Sequence, residues 1–470
     1  MKAETVQELI AHLEGAIVVD GDNVTVTDES ALRQKVDDLV YTAVFSEGLV
    51  RGTARWLLWE LGQQLEVYPS SIHELYIAIG RGDVPHNFTV PAMNVRAVNF
   101  DMSRAIFRAA NNLDVGALIF EIARSEIGYT DQRPAEYVSS LIGAAIKEGF
   151  RGPLFIQGDH FQVSAKSYAS DGENEVNAVR TLIEEAVGAG FYNIDIDTST
   201  LVDLSKEDLD EQQRVNYQLS VELTRFVRQL EPEGITVSLG GEIGEVGEKN
   251  STVPELRAYM EGYRRTLGDE YEGISKISVQ TGTSHGGVVL PDGTLADVKV
   301  DFETLRELSR IAREEYGLGG AVQHGASTLP PSAFNKFPEV GAVEIHLATG
   351  FQNIIYDEAP EEMVEMAYDY LREKHRSEWK EGQTEEQFLY STRKKALGPL
   401  KQQWWDLDDG AKKRIGQALQ EQFEFLFNKL NVNDTRRVVN DVTTIVRMHR
   451  ERPDVAVEEG ELQIAGDLSD

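Results

Sequence analysis

Three histidines in this 470-residue chain sit in short words that each close an apolar run: Gly158-Asp159-His160, Thr283-Ser284-His285-Gly286 and Gln323-His324-Gly325-Ala326-Ser327. Imidazole nitrogens converging from several strand ends make a site for a divalent cation. Glu242 closes a further run and offers a carboxylate to the same place. Nitrogen-rich ligation favours Zn2+, with Co2+ or Fe2+ as competitors. A single strand-end histidine is more often a hydrogen-bonded structural residue, but three at equivalent positions shift the weight to ligation. His12, His73, His375 and His449 fall in expected helices, and His86 precedes the first strand. The chain has no cysteine, which excludes disulfides, thiolate nucleophiles and thiolate metal sites.

The elements that must position these residues are legible in residues 88–350. Eight short runs read as strands: Phe88–Asn94, Ala117–Ala123, Pro153–His160, Asn193–Ser199, Thr236–Gly244, Lys276–His285, Ala321–Ser327 and Ala342–Gly350. Helical spacing lies between most of them, as in Val138, Leu141, Ile142 and Ala145 before Gly149, and in Val176, Val179, Ile183 and Val187 before Gly188 and Gly190. Strands alternating with helices pair in parallel, and eight such units predict an α/β fold of the (β/α)8 TIM-barrel type with N-terminal and C-terminal helical extensions. A doubly wound open sheet is the rival. The weakest unit is the last crossover, Leu329–Gly341, which is short and carries Pro330, Pro331 and Pro338.

The expected organisation is a helical extension over 1–85 without strong strand signals, a barrel over 86–375, a helical segment for oligomerisation over 376–450, and an acidic mobile tail over 451–470. The segment Ala411–Leu430 shows one apolar face, Ile415, Leu419, Phe423, Leu426 and Leu430. With 79 acidic against 46 basic residues, the formal charge of −33 argues against nucleic acid or an anionic membrane surface as the main partner. No run approaches the ~20 apolar residues of a membrane helix, so a cytoplasmic location is expected.

On these residues the central region, about 88–400, resembles the class II, metal-dependent fructose-bisphosphate aldolase family, including its relatives acting on tagatose bisphosphate. The words that carry the resemblance are Val-Pro-Ala-Met-Asn at 90–94, Gly-Asp-His, Ile-Asp-Thr-Ser at 196–199, Gly-Glu-Ile-Gly at 241–244, Ser-His-Gly, His-Gly-Ala-Ser and Thr-Arg-Lys-Lys at 392–395. The resemblance implies a barrel with catalytic zinc, often a monovalent cation (Na+ or K+), and reversible cleavage of a phosphorylated ketose such as fructose 1,6-bisphosphate into dihydroxyacetone phosphate and an aldehyde. It implies His160, His285 and His324 as zinc ligands, with Glu242 an alternative or additional one. It also implies a homo-oligomer, a dimer or larger.

That chemistry suits the residue types. Breaking the C3–C4 bond of a ketose leaves an enediolate, whose charge a cation on the ketone and hydroxyl oxygens stabilises. Asp159 would take the C4 hydroxyl proton in cleavage and return it in condensation, or else would only orient a histidine. Neighbours on a strand face opposite ways, so Asp159 and His160 share a pocket only if the chain turns, which Gly158 permits. Lys276, the sole lysine of the eight runs, starts its strand away from the rim, which disfavours a Schiff base. Phosphate contacts are expected from Gly286, Gly325, Ser327 and Thr349 near the last strands, from Ser125 beside Arg124, and from Arg393. Asn94 joins them as a substrate contact.

The chain also departs from the family pattern. Where an Asn-x-Asp-Thr-Asp word is expected, it reads His346-Leu347-Ala348-Thr349-Gly350, so His346 either replaces the hydrogen bonding of the missing amide, the preferred reading, or approaches the metal. The usual Gly-Gly-Glu-Glu-Asp becomes Gly247-Glu248-Lys249-Asn250-Ser251, leaving Glu248 or Glu245 to move the proton on the nucleophilic carbon. Lys249 there suggests a different or more anionic substrate. Three functions stay open: a sugar-bisphosphate aldolase, an aldolase for another anionic ketose, and a non-catalytic aldolase-like scaffold.

Overall fold

The computed structural model describes residues 2–244, 249–282, 300–326 and 328–454. Eight parallel strands close on themselves: β1 (Val90–Asn94), β2 (Ile119–Ala123), β3 (Gly152–Gln162), β4 (Asn193–Asp197), β5 (Ser238–Glu242), β6 (Lys276–Val279), β7 (Ala321–Gln323) and β8 (Glu344–Leu347). Each pairs with the next in sequence, and β8 returns to β1 with Glu344 opposite Val90. The (β/α)8 barrel read from the sequence is therefore the fold, and the open sheet is excluded. Most strands are buried along their whole length, because helices cover one face and the barrel interior the other.

The helices follow the apolar spacing. Pro134–Glu148 begins with proline in its first turn, buries Val138, Leu141, Ile142 and Ala145, and ends at Gly149. Ala165–Ala189 buries Val176, Val179, Ile183 and Val187 and ends at Gly190. The last crossover succeeds despite its length: a single turn, Lys336–Val340, replaces a full helix, and Phe334 and Phe337 fill the space beneath it.

The N-terminal extension departs from the all-helical expectation. A hairpin joins Ile17–Asp20 to Asn23–Val26 through Gly21 and Asp22, and Val67–Ser70 pairs in parallel with the first half of β3. The hairpin's signal is a Gly-Asp turn, Gly21-Asp22, between valine-containing runs too short to register as strands. The helix His73–Arg81 inserts Tyr76 among the barrel residues, where its hydroxyl donates to Glu344, the first residue of β8.

The C-terminal helix Asp409–Lys429 buries the predicted face and packs on Asn99–Asn112. The chain then returns across the N-terminal helix Gly48–Gln64. Trp59 Nε1 donates to the Met448 carbonyl at 2.6 Å, Trp56 Nε1 donates to that of Arg450 at 2.8 Å, and the Arg450 guanidinium lies 3.4 Å from the Trp59 ring centre. Both extensions are thus laced to the barrel and to each other. Most of the acidic tail lies outside the described residues.

Candidate active site

The C-terminal end of β3 decides how the site is built. Its pairing with β4 slips between Gly158 and Phe161, and His160 itself takes a left-handed backbone, φ +40°. This bulge turns Asp159 and His160 toward one pocket, at a backbone cost of order 1–2 kcal/mol for a non-glycine residue. Gly158 contributes by lacking a side chain, since a Cβ there would lie 2.5 Å from the Phe161 ring.

Three imidazoles gather at this rim. His160 Nε2 lies 3.0 Å from His324 Nδ1, and the His324 and His346 ring centres are 4.0 Å apart. On its other edge His160 Nδ1 meets Asp197 Oδ2 at 3.1 Å and Glu242 Oε2 at 3.4 Å. His324 Nε2 lies 3.0 Å from Ser278 Oγ, which fixes the ring from behind. His346 Nδ1 faces Glu121 Oε2 at 2.9 Å and Asp159 Oδ1 at 3.2 Å, and its Nε2 faces Glu344 Oε1 at 2.7 Å. Potential ligand atoms of His160, Glu242 and His324 lie within 4.8 Å of one another, and so do those of Asp159, His324 and His346.

Below this layer the barrel is charged where such interiors are usually aliphatic. Lys276 Nζ reaches inward to Asp195 Oδ1 at 2.9 Å, Gln157 Oε1 at 2.7 Å and Glu344 Oε1 at 2.5 Å. Lys276 does start its strand as the sequence suggests, but its side chain points into the barrel, where paired carboxylates outweigh burial and hold the ammonium above its usual range. Burial alone would push Glu344 up, yet Lys276 and His346 bring it down to about 2.

A search of protein-family models matches residues 84–402, more than half of the chain, to the class-II fructose-bisphosphate aldolases. The chain belongs to the class II fructose-bisphosphate aldolase family. Among curated proteins no relative matches. A Sinorhizobium meliloti 1021 structure described as a probable tagatose 6 phosphate kinase shares the fold, at 15% identity over 75% of this chain and 93% of its own, TM-score 0.52. A Campylobacter jejuni fructose-bisphosphate aldolase aligns at 16% identity over 76% and 93%, TM-score 0.45. The fructuronate-tagaturonate epimerase UxaE from Cohnella laeviribosi aligns at 9% over 73% and 81%, TM-score 0.49.

Metal dependence is typical of class II aldolases, and the residues present fit a divalent cation. Glu121, Asp159, Asp195, Asp197, Glu242 and Glu344 crowd one interior against Lys276, the one non-histidine cation found there among the described residues. Burial pushes Glu242 up to about 8, helped by Asp197, while His160 opposes. Burial would lower His160, but Asp159, Glu242 and Asp197 hold it well above its usual value. Protons are thus retained where a cation would otherwise offset the carboxylates.

The other expected residues of this chain fall in several places. Asn94, ending β1, donates to Glu126 and accepts from Arg96 Nε at 3.1 Å. Ser125 follows β2 and lines a rim pocket of about 600 Å3 with Tyr129, Lys394 and Lys395. Thr349 opens the helix after β8, and Gly325 follows His324 with φ +67°. Arg393 is buried between the rings of Tyr356 and Tyr390 and donates to Asn353, away from the histidines. Arg124 is taken up by Glu175 at 2.6 Å. His285, Gly286, Ser327, Glu245 and Glu248 lie outside the described residues.

The sequence reading assigned no role to Glu121, Asp195, Ser278 and Glu344, nor to Asp197, although Asp197 stands in the Ile-Asp-Thr-Ser word. Their signal is the two-residue period of a strand: Asp195 with Asp197, Lys276 with Ser278, and Glu344 with His346 share inward faces.

Proposed function

We propose that this protein is a metal-dependent aldolase that reversibly cleaves a phosphorylated ketose into dihydroxyacetone phosphate and an aldehyde. In this reading His160, His285 and His324 hold Zn2+, with Glu242 a further ligand. The observation that carries it is the convergence of His160, His324 and Glu242 at the barrel rim, with the buried Asp159 carboxylate beside them. A cation held there supplies Lewis-acid stabilisation of the charge that develops on the substrate oxygens.

The chain's own groups do the rest. Asp159 takes the C4 hydroxyl proton during cleavage and returns it in condensation, and His346, 3.2 Å away, steadies the carboxylate. Asp197 accepts from Ser199 Oγ at 2.7 Å and Gln162 Nε2 at 2.6 Å, so it is fixed and orients His160 from its Nδ1 edge. Ser125 and Lys394 offer a hydroxyl and a cation to the far end of the substrate, a role the sequence reading gave to Ser125 with Arg124 and Arg393; Lys395, in the same pocket, is paired with Glu378 at 2.7 Å. Glu248 remains the candidate for the proton on the nucleophilic carbon.

His346, clamped between Glu121 and Glu344, supports a substrate other than fructose 1,6-bisphosphate, such as tagatose bisphosphate or another anionic ketose. A scaffold has no use for a proton carrier aimed into a ligand cluster. Asp159→Asn tests the reading: cleavage should fall about 10²–10⁴-fold while zinc uptake stays within a few-fold of wild type. Undiminished cleavage in this variant would remove Asp159 from the mechanism.

A further inference from the structure

We propose that a cleft at the opposite, N-terminal mouth of the barrel binds a phosphorylated small molecule. This inference stands apart from the reading of the rim site. The cleft, about 800 Å3, lies where Gly82–Asn87 lead into β1 and Pro338–Gly341 lead into β8, at the ends of those strands remote from Asn94 and His346.

Four arginines converge on it. Arg306, Arg310 and Arg313 are spaced i, i+4 and i+7 on the helix Phe302–Glu314, so they share one face. Arg81 comes from the last turn of His73–Arg81. In a chain of formal charge −33 such a concentration of guanidinium runs against the general field. Two carboxylates, Glu314 and Glu339, line the cleft against the four guanidiniums. Arg310 pairs with Glu314 at 2.5 Å and Arg306 with Glu303 at 3.6 Å, both largely exposed pairs of small energetic weight.

Arg313 is the telling residue. It is partly buried, yet it donates only to backbone carbonyls, to Gly341 at 2.5 Å and Gly319 at 3.5 Å, and no carboxylate among the described residues pairs with it. Burial draws it below the usual guanidinium range, with the nearby Glu314 opposing that shift only in part. Its seat is built from glycines. A Cβ on Gly341 would lie 2.6 Å from Arg313 Nη2, and one on Gly320 would lie 2.9 Å from Nη1, so side chains there would displace the fork. Both carbonyl bonds engage Nη1, which leaves Nε and Nη2 to donate elsewhere. A planar fork with free donors, flanked by three further guanidiniums, matches phosphate oxygens.

Titration of pyrophosphate into the full chain, followed by calorimetry at low ionic strength, tests the site. Wild type is compared with Arg310→Ser/Arg313→Ser, and the rim site, unchanged in both, cancels. Wild type should bind one equivalent more than the double variant. Arg306→Ser alone should weaken that class of binding about tenfold, and added salt should weaken it further. Should the double variant not fold, Arg306→Ser/Arg310→Ser changes only exposed side chains and must show the loss. Equal stoichiometry and affinity in wild type and a folded variant would overturn the proposal.

Discussion

At the scale of single residues the site is a contest between burial and charge. Burial raises Glu242 to about 8, and Asp159, Glu242 and Asp197 around His160 hold it well above its usual value, so on the proposed reading both hold protons that a metal would displace. The direction of the pH effect follows: below about pH 8 the cation competes with protons, so affinity rises with pH and uptake releases protons. Calorimetry of Zn2+ binding in buffers of different ionisation heat should show proton release at pH 7, with the share from Glu242 diminishing above about pH 8. Release of no protons would contradict the assigned ligands. The words around His160 and His324 were readable because each histidine closes an apolar run with a glycine within two residues of it. What no word carried was the φ of +40° at His160, since a bulge arises from pairing with β4 rather than from local preference. The inward carboxylates Asp195 and Glu344 could have been counted by strand period, but alone they look like any other acidic residue in an acidic chain.

At the scale of elements two features hold the barrel around the site. Lys276 of β6 neutralises Asp195 of β4 and Glu344 of β8 in a buried cluster. Removing one partner of such a cluster leaves uncompensated charge, so Lys276→Met should cost about 3–5 kcal/mol in denaturant unfolding. Borohydride with substrate should trap no adduct on Lys276, because a charged, doubly paired amine is not a nucleophile. The Glu344 carboxylate, down at about 2 in the fold, gives stability above the unfolded-state value that is lost as pH falls toward 2; Glu344→Gln should flatten that acid limb. The short last crossover depends on Phe337, wholly buried beneath its single turn, and Phe337→Ala should cost about 3–5 kcal/mol. The prolines of that crossover argued against a helix and were right about its length. The sequence offered no direct way to see that Phe334 and Phe337 would close the gap, because their partners come from distant segments such as Phe302 and Phe425.

At the scale of the whole molecule, the barrel gathers the histidine and carboxylate cluster at one mouth and has the helix His73–Arg81 packed at the other. Tyr76 links the two by bonding Glu344, which in turn holds His346 at the rim. The extensions therefore support the interior as well as cover it, a role that helical periodicity alone could not reveal. Family membership and the ligand cluster point to one reaction type, aldol cleavage through a bound cation, and leave the identity of the ketose to the residues around His346. The direct test is cleavage of fructose and tagatose bisphosphates by the full chain, assayed by release of dihydroxyacetone phosphate, before and after complete chelation and after Zn2+ is restored. The account predicts cleavage of at least one phosphorylated ketose, lost with the metal and regained with it. Cleavage that persists in fully metal-free protein would contradict it.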